Sequence, residues 1–196
     1  ISPSVDVDMV TEYRLEPGAT ALSITTWMTK ADGRRTVVRM GDLIAGGDTT
    51  QAWAPGAGFN IPGASTQVPF VASIGETHSV GVTSPNLTLQ SLTLPEIEIP
   101  FGSVTSAIGL LCPGETASFR RWLTVGGGDT WSLREGLSEH LPEDERLSIL
   151  FDGWPGHYEI HDSEGASVDV VRFETQIEWN LPAGDYTATP LNWPTE

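Results

Sequence analysis

Apolar and polar residues alternate over short stretches through most of the chain, which is the period-two signature of half-buried strands. Val5, Val7 and Met9 alternate with Asp6 and Asp8. Leu22, Ile24 and Thr26 alternate with Ser23 and Thr25, after a turn at Glu16-Pro17-Gly18. Asp32-Gly33 supplies the positive φ of a tight hairpin, and Thr36–Met40 is its expected returning strand, so the first forty residues read as a meander. Breakers crowd 41–69, which reads as a long loop packed on Trp53 and Phe59. Short strands are expected at 68–74, 78–83, 87–94 and 97–101. Ala117–Val125 follows, with Phe119, Leu123 and Val125 on one face and Trp122 on the other.

Gly126-Gly127-Gly128 ends that strand, and Asp129 or Thr130 then caps a short helix running to about Leu141. Leu133, Leu137 and Leu141 recur at helical spacing, and Ser132–Glu135 has the form of a capping box. Beyond Pro142–Glu145 the tail returns to strands at 147–151, 158–160, 168–173 and 177–181, with a last one beginning at Tyr186. The expectation is an all-β, antiparallel sandwich with one short helix over 1–141, followed by a small β unit over 142–196.

Composition narrows the function classes. Against 26 Asp and Glu stand 10 Lys and Arg, for a net charge of −16. Such a surface repels phosphate backbones and anionic headgroups, so nucleic acid and membrane surfaces are poor partners. No run approaches the ~18 apolar residues of a spanning helix. The chain opens on Ile1 without a charged-then-apolar leader and reads as a processed or excised piece. Cys112 is the single cysteine, expected to be an inert thiol at the end of a buried strand.

Three stretches resemble known domains. Tyr13–Gly18 followed by Leu22-x-Ile24-x-Thr26 resembles a strand pair of galactose-mutarotase-like supersandwich domains. Phe119–Gly126, with Gly128-Asp129 and the helix after it, is similar to β-sandwich regions ahead of PHP-type metallohydrolase domains in secreted bacterial proteins. Asn180–Tyr186 is similar to the final strand of carboxypeptidase-regulatory-like, prealbumin-type modules. The resemblance implies a non-catalytic accessory region, extracellular or periplasmic, whose partner is a neighbouring domain of a larger protein. The His-x-His pair of a PHP site and the His and Glu of a mutarotase have no matching positions.

Five local patterns bear on chemistry. In a strand, His157, Glu159 and His161 share one face while Tyr158 and Ile160 point to the core, a donor set suited to Zn²⁺. The outer two Cα atoms are then about 13 Å apart, too far for one ion without a bulge. Among seven tryptophans, Trp53, Trp131 and Trp154 (with Trp193) fall at loops and element ends, where indoles stack on sugars, so a glycan is the alternative partner. Trp27, Trp122 and Trp179 are expected in the core. Asp6/Asp8 and Glu96/Glu98 read as solvated edges, and Gly126–Thr130 lacks the Lys of a nucleotide loop. Asn86-Leu87-Thr88 fits a glycosylation sequon. No cofactor is called for.

Overall fold

A computed structural model describes residues 7–45, 50–59, 66–85, 88–91, 101–141, 147–152, 154–173 and 176–192. It is an all-β, antiparallel sandwich with one short helix. In chain order the strands are β1 Val7–Arg14, β2 Leu22–Lys30, β3 Thr36–Ala45, β4 Thr50–Trp53, β5 Thr66–Gln67, β6 Val71–Gly75, β7 Ser79–Thr83 and β8 Thr88–Ser91. Then come β9 Phe101–Leu111, β10 Thr116–Gly126, helix α1 Trp131–Leu137, β11 Leu147–Asp152, β12 Gly156–Asp162, β13 Ser167–Phe173, β14 Gln176–Leu181 and β15 Tyr186–Pro190.

A six-stranded sheet, ordered β1-β2-β10-β7-β6-β4, lies at the centre. Strand β6 shows how both of its faces are used. Val71 belongs to one apolar cluster with Val68, Val82 and Phe119, while Ala72 and Ile74 point the other way, into a cluster with Trp53, Phe70, Leu133 and Leu137. A run of alternating destinations reads in sequence as a continuous apolar stretch, because neither face meets water. Against this sheet lies a four-stranded sheet, β3-β9-β8-β5, whose β3 and β9 approach β4, β6 and β10. Helix α1 packs on β10 and β7. Complete burial of Leu133 and Leu137 stabilises by about 2 kcal/mol each.

The expected meander is corrected at its second turn. Strands β1 and β2 do pair, from Val7↔Lys30 to Arg14↔Ser23. Strand β3 pairs with β9 in the other sheet instead. Both edges of β2 are taken, by β1 and β10, so the chain must cross at Asp32-Gly33, where Gly33 has φ +81°. Strand β3 also continues past Met40 to Ala45, with a register shift between Arg39 and Gly41 at which β9 carries one residue more than β3. Thr50–Trp53, expected within a long loop, forms a strand against β6.

The helix begins where the sequence indicates, with Thr130 at its N-cap position and Asp129 supplying the side-chain acceptor. Asp129 Oδ1 accepts from Ser132 N at 3.0 Å and from Ser132 Oγ at 2.6 Å. The Ser132–Glu135 capping box does not form, because the Ser132 hydroxyl is committed to Asp129 and to Gly127 N. A 3-10 turn over Ser138–His140 extends α1. Just before it, Gly128 has φ +91°, and a Cβ there would lie 2.9 Å from the carbonyl oxygens of Gly75 and Glu76. Only glycine fits this crossing.

The tail forms a two-stranded sheet, β11-β14, and a three-stranded one, β13-β12-β15. Residues 142–146, where the boundary between the two units is expected, lie outside the described residues. Contacts cross that boundary: Val170 of β13 is fully buried in the cluster holding Trp53, Phe70 and Leu133. A third cluster joins Ile160, Val171 and Leu181 of the tail to Trp131 of α1.

Candidate functional site

The polar side chains of greatest chemical interest gather where β12 and β13 meet the central sheet. Pairing places His157 opposite Arg172, Glu159 opposite Val170 and His161 opposite Ser167, so the three expected donors share one sheet face. The register shifts between Ile160 and His161. Two of the three come together: His161 Nε2 lies 3.5 Å from Glu159 Oε2. Glu159 also packs over Gly58 (φ +63°), where a Cβ would meet its Oε1 at 2.6 Å.

His157 goes elsewhere. It is 8% exposed, and its carbonyl accepts from Leu191 N at 2.9 Å. Its ring sits among Arg172 of β13, Glu76 of the β6–β7 turn and Asp129 of the loop before α1. Burial pushes its pKa below the ordinary value, and Arg172 adds to that; Glu76, Asp129 and a hydrogen bond with the Glu76 backbone act in the opposite sense. The trio therefore divides between a Glu159–His161 contact at the Gly58 loop and a histidine at a junction of three elements. Among the described residues, no group of three or more His, Cys, Asp or Glu side chains is placed to hold a metal ion.

The tryptophans are dispersed. Trp53 is fully buried, its Nε1 donates to Ser167 Oγ at 2.9 Å, and its ring meets Phe70 at 5.8 Å. It is a core side chain, with no face left for a sugar. Trp131 is half-buried against Ile160 and Val171. Trp154 is 85% exposed, with Tyr158 Oη donating to its carbonyl at 2.9 Å. Trp122, expected in the core, is half-buried and stacks on His140 at 4.2 Å. Trp193, Asn86, Asp6, Glu96 and Glu98 lie outside the described residues, as does the side chain of Trp179.

The most elaborate polar arrangement is one that sequence reading missed. Asp169 is fully buried, and its Oδ1 accepts from Thr130 Oγ1 at 2.6 Å and from Arg134 Nε at 2.9 Å. Arg134 also donates to Val168 O at 3.1 Å and lies 4.9 Å above the Phe70 ring. Thr130 N donates to Val170 O, and Val170 N to Thr130 Oγ1, both at 3.0 Å. Gly56 N reaches Ser167 O at 2.7 Å. The outer edge of β13 thus has its backbone groups satisfied by the central unit rather than by another strand. Asp169 in the apolar run Val168–Val171 was the available signal, since a charge inside such a run requires a buried partner.

Cys112 is half-buried, and Glu115 pushes its thiol pKa up by its charge, with burial and a hydrogen bond adding to it. A raised pKa lowers the thiolate fraction and with it nucleophilicity. A scan against protein-family models finds no match to this chain, and a search of curated proteins finds none either. No helix among the described residues is long and apolar enough to cross a membrane.

Proposed function

We propose that this chain is a non-catalytic accessory β-sandwich module of a larger extracytoplasmic bacterial protein, serving to orient or shield a neighbouring domain. One observation carries the reading: the buried polar side chains of Thr130, Ser167 and Asp169 are spent on joining the tail to the central unit. Asp169, Thr130 and Arg134 satisfy one another and the edge of β13, leaving no buried carboxylate in that network available for acid–base work. Among the described residues, the nearest approach to a metal set is the contact of Glu159 with His161.

The decisive experiment equilibrates the purified chain with excess Zn²⁺, removes free metal and measures metal content and thermal midpoint. No stoichiometric metal and no shift on chelation are expected. One bound ion per chain, lost on replacing His161 with Ala, would sink the proposal and favour a metalloprotein. The neighbouring domain of the parent protein, expressed with and without this chain, should lose stability or solubility when the module is absent.

Glycan binding is the second reading, favoured by the exposure of Trp154 beside Tyr158. An indole this open can stack on a pyranose face. A change in tryptophan fluorescence with one member of a glycan panel, abolished by Trp154→Ala, would establish it.

A further inference from the structure

Two of the strands that end a sheet, β13 and β1, are treated very differently. The outer edge of β13 is closed by Gly56, Thr130 and Arg134. Strand β1 ends the central sheet and pairs, among the described residues, with β2 alone. Edge strands of natural proteins are ordinarily blunted by Pro, Lys, a bulge or brevity. Strand β1 lacks these, and its only blunting device is the charge of Asp8, Glu12 and Arg14: it runs eight residues, Val-Asp-Met-Val-Thr-Glu-Tyr-Arg, in uninterrupted register. Its apolar side chains are open to solvent, with Met9 64%, Val10 62%, Tyr13 67% and the following Leu15 65% exposed.

We infer that β1 is a self-complementary interface, pairing antiparallel with β1 of a second copy about Thr11 to make one continuous twelve-stranded sheet. The register decides the argument. A two-fold axis normal to the sheet keeps each side chain on its own face, so residue i can meet residue j only when both have the same parity. Two such registers overlap nearly the whole strand. Centred on Val10, Asp8 faces Glu12 twice, and like charges directly opposite destabilise. Centred on Thr11, Asp8 faces Arg14 twice, Met9 faces Tyr13 twice, Val7 faces Leu15 twice, and Val10 meets Glu12. Every charged side chain of the strand then has an opposite charge or an apolar neighbour across from it.

The face composition supports the same partner. Met9, Thr11 and Tyr13 stand opposite Met28, Thr26 and Ile24 of β2, with Thr11 and Thr26 hydroxyls 3.0 Å apart. A second β1 would extend that apolar row by the same residues in reverse order. Arg14 now pairs with Glu16 of its own chain, both well exposed, so it can reach Asp8 of the other copy without leaving a buried charge behind. Local complementarity of this kind is what an acidic chain of net charge −16 needs, since its long-range field opposes association.

Sedimentation equilibrium of the 196-residue chain tests this. The mass should rise from 21.1 kDa toward twice that value as concentration increases from micromolar to millimolar. Arg14→Glu should weaken the dimer about tenfold or more, because two attractive cross-strand pairs become repulsive. The swap of Asp8→Arg with Arg14→Asp should restore it. In a Cys112→Ser background, Thr11→Cys should oxidise to a disulfide-linked dimer and Val10→Cys should not, because only position 11 meets itself. Far-UV circular dichroism checks that each variant folds, which the exposure of these positions favours. A monomer at every concentration, association of Arg14→Glu equal to that of the parent, failure of the folded swap to recover, or equal crosslinking at positions 10 and 11 would each overturn the inference.

Discussion

At the scale of single residues, the histidines show how environment overrides sequence pattern. His157 is neutral in the folded chain because burial holds its pKa below 6.5, Arg172 reinforcing this against Glu76 and Asp129. The unfolded chain takes up a proton near pH 6.5, whereas the folded chain does so only at lower pH. Stability from this group is therefore complete above the unfolded value and falls as pH drops toward the folded one. His140 shifts in the same direction, chiefly through burial against Trp122. Between about pH 7 and pH 5, His157→Gln should lose less of its urea midpoint than the parent chain does. Equal losses would mean that His157 does not sense its surroundings as described. The period of two correctly put His157, Glu159 and His161 on one face, and Tyr158 and Ile160 in a core cluster. It carried no information about burial along that face, which is set by the Gly58 loop at one end and by Glu76 and Asp129 at the other. Those partners are 28 to 101 residues away in the chain.

At the scale of elements, strands and the helix were legible because alternation and capping are local. Strand β10 and helix α1 lie where their apolar spacing puts them. Pairing was not legible at β3, since Asp32-Gly33 suits a sheet-crossing corner as well as a hairpin and only the double occupancy of β2 distinguishes them. Strand β4 was hidden by its surroundings: Gly46-Gly47 and Pro55-Gly56 flank it closely. The joint between α1 and β13 rests on Arg134 and Asp169, and removing one partner of a buried pair leaves the other charge uncompensated. Asp169→Ala should cost about 3 kcal/mol in urea unfolding at neutral pH. A loss under about 1 kcal/mol would show that the pair is solvated and the edge of β13 is held by its backbone bonds alone.

At the scale of the whole molecule, the fold class followed from composition and turn density, and the structure is an antiparallel sandwich. The relation between its parts could not be read, because the clusters that span them join residues far apart. Val170 completes the layer of Trp53, Phe70, Ile74 and Leu133, and Trp53 reaches Ser167 across 114 positions. Two units sharing a core should melt together. Tryptophan fluorescence and far-UV circular dichroism should give one coincident urea transition, and two separated midpoints would show independent units. The order of synthesis gives the same feature another meaning. A ribosome finishes the central strands and the helix well before β13 emerges, so the nascent chain lacks Val170 beside this cluster, and the Ser167 hydroxyl that accepts from the Trp53 indole, until residues 167–173 arrive. A premature stop after residue 141 would leave the Trp53 indole without the Ser167 hydroxyl and the Arg134 guanidinium without the Asp169 carboxylate.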